Sequence, residues 1–169
     1  MSSTDFFDKL FGDLETLPEI DPEDRIVVRD LMTAYVLAVD VDAALRTAKR
    51  AMEKHAIRHV PVVDCGRVIG MLSQRELASA AYIAHHFDAD RDAYEEFIES
   101  PVRGFLKTRF SAERDVITIG ADESIQRAVD LLVQNRLTAL PVLGSRGDLV
   151  GILSYIDVLN GLRGLFERI

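Results

Sequence analysis

Ile57-Arg58-His59-Val60-Pro61-Val62-Val63, followed by Val68-Ile69-Gly70-Met71-Leu72-Ser73, decides the fold because the chain writes it twice. It returns as Leu137-Thr138-Ala139-Leu140-Pro141-Val142-Leu143, followed by Leu149-Val150-Gly151-Ile152-Leu153-Ser154. The prolines stand 80 residues apart and the glycines 81. The second turn, Gly144-Ser145-Arg146-Gly147-Asp148, is one residue longer than Asp64-Cys65-Gly66-Arg67 and accounts for the difference. A repeat of this length means two copies of one supersecondary unit packed together. Function is then expected in the groove between the copies.

Each copy follows one order of elements. Asp42 is placed to cap a helix with Leu45, Ala48, Ala51 and Met52 on one face. Asp122 stands likewise before Ile125, Ala128, Val129, Leu132 and Val133. The helix leads to a strand, Val60–Val63 or Leu140–Leu143, a turn, and a second apolar strand, Val68–Leu72 or Leu149–Leu153. Another helix opens at Ser73 or Ser154. Short strands at Leu37–Val39 and Val116–Ile119 precede the first helices. The fold class is therefore mixed α and β, α+β in arrangement, with strand-helix-strand-strand-helix repeats related by a pseudo-twofold axis. A three-stranded sheet alone offers too little surface for a stable core, so the copies must pair.

The remaining segments frame the repeats. Residues 1–27 carry Phe6, Phe7, Leu10, Phe11 and Leu14 at helical spacing among acids, which reads as an amphipathic helical extension packed on the body or on a second subunit. Asp5, Asp8, Asp13 and Glu15 argue against contact with anionic lipid. Repeat 1 covers 28–82, a helical connector 83–101, and repeat 2 102–169. Pro101 opens the second unit, and Asp88-Ala89-Asp90 interrupts the connector.

Composition narrows the function. Of 169 residues, 48% are apolar, which supplies a core. The net charge of −8 disfavours nucleic acid and membrane surfaces as partners, since both require a cationic face. Apolar runs are too short to cross a bilayer, and Met1-Ser2-Ser3-Thr4-Asp5 lacks the basic start of a secretory signal. Cys65 is the only cysteine, which fits a cytoplasmic location.

On the paired motifs quoted above, the chain resembles a tandem pair of cystathionine-β-synthase-type (CBS) domains, a Bateman module, over about residues 28–82 and 102–163. The resemblance implies a regulatory ligand-binding module and not an enzyme. It implies an adenosine compound, AMP, ADP, ATP or S-adenosylmethionine, in the cleft between repeats, no metal cofactor, and a homodimer. With no enzyme domain attached, the sensor is expected to signal to an unidentified protein target. The alternative is a structural or interaction module that binds no ligand and acts by dimerising.

Within that resemblance, Asp157 accepts hydrogen bonds from ribose hydroxyls and Ser154 reaches phosphate. The chemistry is sound: a carboxylate accepts from two vicinal hydroxyls, and a helix start favours an anion. Leu137, Ala139, Leu140 and Pro141 form the strand end beside a flat purine, and Thr118 and Thr138 offer hydroxyls. In the first copy Glu76 stands where the aspartate is expected, so Ser73 and Glu76 make at most a weak second site. Arg58, His59 and Arg75 are the phosphate contacts from that copy. Ser-x-x-Asp and Ser-x-x-Glu are also capping-box patterns, and both roles can coexist.

Other signals carry less. His55 and His59 are separated by the end of a helix, and His85-His86 near Asp88 and Asp90 lacks converging ligands, so no metal site is expected. Arg46, Lys49, Arg50 and Lys54 read as a solvated basic stripe. Gly161 and Gly164 read as helix ends. Cys65 has no base to activate it, and no nucleophile–base pair is present.

Overall fold

The computed structural model describes residues 26–87, 91–109 and 116–166. The expected N-terminal helix therefore lies outside the described residues. In chain order the elements are α1 (Val28–Leu31), β1 (Thr33–Ala34), β2 (Val39–Asp40), α2 (Leu45–His55), β3 (His59–Asp64), β4 (Arg67–Ser73) and α3 (Gln74–Phe87). There follow α4 (Arg91–Glu99), α5 (Val102–Arg109), β5 (Ile119–Gly120), α6 (Ile125–Gln134), β6 (Ala139–Leu143), β7 (Leu149–Ser154) and α7 (Tyr155–Phe166). The mixed α+β class and the doubled unit are both realised.

The two sheets repeat one register. In the first, β2 runs parallel to β3, and β3 antiparallel to β4; in the second, β5, β6 and β7 do the same. Val62 faces Gly70 across one hairpin and Val142 faces Gly151 across the other. Each ladder then slips, between Val62 and Val63 and between Val142 and Leu143. The first turn is tight because Cys65 and Gly66 both adopt positive φ, +49° and +80°, as a two-residue hairpin with right-handed twist requires.

Each half has its own core. Leu45, Ala48, Met52, Val60, Val62 and Leu72 form the first; Ala128, Leu132, Leu140, Val142 and Leu153 form the second. Ile125 and Val129 flank the buried stripe of α6, whereas Val133, expected on that face, is 69% exposed. A helix turns 100° per residue, so Val133 lies beyond the edge of the stripe that Ala128 and Leu132 define.

The leading segments cross over. Val28, Leu31 and Met32 pack in the second core, and Val102, Phe105 and Leu106 in the first. The docking is the same on both sides. Val28 N donates to Glu123 O and Arg29 N to Ala121 O; Val102 N donates to Ala43 O and Arg103 N to Val41 O. β1 extends the crossing by pairing antiparallel with β7, Thr33 with Ile152 and Ala34 with Gly151, so the second sheet has four strands where the first has three.

This crossing corrects the roles expected for Asp42 and Asp122. Neither caps a helix. Arg103 of α5 donates from Nε to Asp42 Oδ1 at 2.8 Å and also reaches Asp64 at 3.2 Å; Arg29 of α1 pairs with Asp122. The N-cap of α6 is Ser124, whose hydroxyl accepts from Arg127 N at 3.2 Å, and α2 begins at Ala44 with no side-chain cap. Two further expectations change. Gly161 and Gly164 lie inside α7; a Cβ at Gly161 would stand 2.8 Å from Leu31, so this glycine admits α1 against the helix. Arg46 is not solvated alone but grips Glu95 and Glu99 of α4, tying the connector to the first half.

Candidate functional site

The seam between the halves opens into a cleft of about 1080 Å³. Its walls come from both repeats. The first supplies the end of α2 and start of β3 (His55 to His59) and the start of α3 (Ser73, Gln74, Arg75, Ala78). The second supplies Thr138, Ile152 and the start of α7 (Ser154 to Asp157). The crossing segment contributes Thr33 and Tyr35 to Leu37.

Local rules place the polar groups. In each repeat the last strand runs straight into a helix, and the helix's first amide is tied to the start of the preceding strand. Gln74 N donates to Arg58 O at 2.8 Å, and Tyr155 N to Thr138 O at 3.2 Å. The capping box is formed in both copies. Ser73 N donates to Glu76 Oε2 at 2.8 Å, and Glu76 N to Ser73 Oγ at 3.2 Å. Ser154 N donates to Asp157 Oδ2 at 2.7 Å, and Asp157 N to Ser154 Oγ at 3.3 Å. The shorter aspartate also takes the hydroxyl of Ser154, 2.6 Å from Oδ2. Both of these bonds fall on one oxygen, and Asp157 lines the cleft while Glu76 is outside its lining.

The halves touch across the cleft where His59 Nε2 and Thr138 Oγ1 lie 2.7 Å apart. Burial pulls the His59 pKa below its ordinary value; Glu76 opposes that pull and Arg58 adds to it. The neutral ring is therefore favoured near pH 7. Arg58 and Arg75 have no ion-pair partner among the described residues, unlike Arg29, Arg46 and Arg103. Among the described residues, Asp157 is the only acid lining the cleft, against the guanidinium groups of Arg58 and Arg75. The cleft is locally cationic on a chain of net charge −8.

Of the residues singled out from sequence, Arg58, His59, Ser73, Arg75, Thr138, Ser154 and Asp157 come together on this cleft. The others stand elsewhere. Leu140 is fully buried in the second core, Leu137 packs against it half-buried, and Ala139 and Pro141 are buried in β6. Thr118 is half-buried just before β5 and outside the cleft lining. Sequence reasoning missed Tyr35, Val36, Ile152, Tyr155 and Ile156. For Ile152 the alternation along β7 was a usable signal, since Gly151 and Leu153 point inward. Among the described residues no three His, Cys, Asp or Glu side chains converge as metal ligands. None of the described helices is long and apolar enough to cross a membrane.

Comparison with known proteins agrees with the doubled architecture. The CBS domain family model matches residues 28–82 and 110–164, more than half of the chain. The chain belongs to the CBS-domain family. It is 24% identical over 146 residues to a CBS domain-containing protein of Dictyostelium discoideum, spanning 86% of this chain and 97% of that one. It also matches the inosine-5'-monophosphate dehydrogenase of Thermoplasma acidophilum, 25% identical over 150 residues, but spans only 25% of that enzyme. Among solved structures, the CBS domain pair of protein MJ0100 in complex with 5-methylthioadenosine and S-adenosyl-L-methionine superposes with a TM-score of 0.62 at 20% identity, covering 83% of this chain and 98% of that one. CBSX2 in complex with AMP gives 0.60 at 18% identity, covering 82% and 97%. At these identities the superpositions establish a shared fold.

Proposed function

We propose that this CBS pair is a regulatory module that binds an adenosine compound in the cleft between its repeats. One observation carries the reading: Ser154 and Asp157 of one repeat and Arg58, His59 and Arg75 of the other line the same cleft. Asp157 can hold its cap with Oδ2 and still accept ribose hydroxyls, because a carboxylate has about four lone-pair sites. The guanidinium groups of Arg58 and Arg75, without an ion-pair partner among the described residues, suit phosphate, which favours AMP, ADP or ATP over the cationic sulfonium of S-adenosylmethionine. The ligands seen with MJ0100 and CBSX2 support the adenosine class. Glu76, outside the cleft lining, supports one strong site per chain.

Such a ligand shifts the packing of the halves only by binding one arrangement more tightly than another. The change passes to a second copy of the chain or to a protein target in the cytoplasm. Thermal melting with AMP, ADP, ATP and S-adenosylmethionine tests this. A ligand at 100 times its Kd adds about 2.7 kcal/mol of stability. The nucleotides should raise Tm and S-adenosylmethionine should not.

One observation favours a second reading, dimerisation without a ligand. Tyr155, Ile156, Leu159 and Leu162 of α7 are 41–55% exposed, apolar side chains on one helix suited to a second copy. A concentration-dependent dimer together with an unchanged Tm for every compound would favour this reading over the first.

A further inference from the structure

We propose that Tyr35 is the stacking platform for the ligand's base, a binding residue on the strap that crosses between the halves. The inference rests on the nucleotide reading above. Thr33 and Ala34 belong to the second sheet through β7, and Val39 and Asp40 belong to the first through β3. Residues 35–38 span the gap between these two strands, and they form one wall of the cleft through Tyr35, Val36 and Leu37.

Tyr35 is unusual there in two independent ways. Its φ is +59°, the left-handed region that aromatic side chains rarely adopt. Among the described residues, the three other non-glycine residues with positive φ close a local structure: Ala56 ends α2, Arg136 follows the end of α6, and Cys65 turns a hairpin. Tyr35 closes neither a helix nor a hairpin. Its side chain is also 101% exposed, so its ring lies open although it stands on a cleft wall. A large aromatic held in a costly backbone conformation without a packing role is what a flat ligand needs. Stacking is indifferent to phosphate charge, so it supplies base recognition that Arg58 and Arg75 cannot.

Calorimetric titration of the whole chain with AMP, ADP and ATP tests the proposal. Tyr35→Gly removes the ring and suits the positive φ, so the variant should melt no lower than wild type. It is expected to bind the nucleotides about tenfold or more weakly, the scale of one lost aromatic–base stack. Tyr35→Phe keeps the ring and should bind within about twofold of wild type, since the stack needs only a π face. The chain has no tryptophan, so the indole introduced by Tyr35→Trp is a sole reporter, and nucleotide should quench its emission. Equal affinity of wild type and Tyr35→Gly, or weakening by Tyr35→Phe equal to that by Tyr35→Gly, would overturn the stacking role and leave the cleft assignment standing. If no adenine nucleotide binds the wild type, both fall.

Discussion

The two repeats build the same backbone and finish it with different side chains. Both last helices begin with a serine that closes a capping box. In the first repeat the box is completed by Glu76, outside the cleft lining, and in the second by Asp157, on the cleft wall. Both penultimate helices begin at equivalent positions, one with Ala44 and no cap, the other with Ser124 and a cap. Both second strands carry a glycine covered by the leading segment that belongs, in chain order, to the other half. Over Gly70 that cover is Leu106 of α5; over Gly151 it is Met32 and the backbone of Thr33. Duplicated topology therefore fixes the frame, and single substitutions within it decide which copy turns its capping carboxylate to the cleft.

The widest gap between the copies is expected in binding. Asp157→Ala should weaken adenine-nucleotide binding about tenfold to a hundredfold, the worth of hydrogen bonds to a charged group. Glu76→Ala should leave the affinity unchanged. Both variants keep the capping serine and lose the carboxylate that accepts from its N–H, at about 1 kcal/mol, so melting curves check that their stabilities match while calorimetry separates their affinities. Equal losses of affinity would mean that the copies are functionally alike.

The glycines come next. Alanine at Gly151 would overlap the Met32 sulfur and stand 3.2 Å from the Thr33 carbonyl oxygen, which the β1–β7 pairing holds in place. Gly151→Ala should cost about 1–3 kcal/mol in urea unfolding. At Gly70 a Cβ meets only the tip of Leu106, at 3.0 Å, and a side-chain shift relieves it. Gly70→Ala should cost less, and the reverse order would show that the β1 strap is the looser of the two covers.

The caps give a smaller and opposite pair of effects. Ser124→Ala should destabilise by about 1 kcal/mol, and Ala44→Ser should stabilise by about 0.5–1 kcal/mol, because Ala44 already has the extended conformation of an N-cap (φ −65°, ψ 146°). Thermal melts of the two variants read both signs.

The smallest effect is the dependence on pH. The folded-state pKa of His59 lies below its unfolded value near 6.5, so the unfolded chain takes up the proton first as pH falls. Stability from this group is present above pH 6.5 and is lost progressively as pH falls toward the folded pKa. The second repeat has Ala139 at the matching position, so only the first contributes. His59→Gln should remove this part of the pH dependence, and melts from pH 7.5 to 5 measure it.

Much of this was legible from local patterning. The short apolar runs Val60 to Val63 and Leu149 to Leu153, each bounded by a turn, mark strands, and the stripe of Leu45, Ala48 and Met52 marks a helix because burial acts on one face of it. Arg58, His59, Thr138, Ser154 and Asp157 were legible as candidates because the resemblance to CBS pairs implies ligand contacts at those positions, at a strand end and a helix start. Asp42 and Asp122 were misread, since a carboxylate before a helix satisfies the cap pattern as well as it accepts a distant arginine. Tyr35 was invisible, since neither its φ nor its exposure leaves a periodic trace.

By itself the sequence determined that two copies of one α+β unit exist, where their elements fall, and which copy carries the aspartate. Those are consequences of short-range periodicity and of residue identity at fixed offsets. Only the tertiary structure decided that α1 and β1 close the second half while α5 closes the first, and that the strap between them walls the cleft. Such choices rest on contacts between residues tens of positions apart, such as Arg29 with Asp122 and Arg103 with Asp42, and no local pattern encodes which half a leading helix will cover.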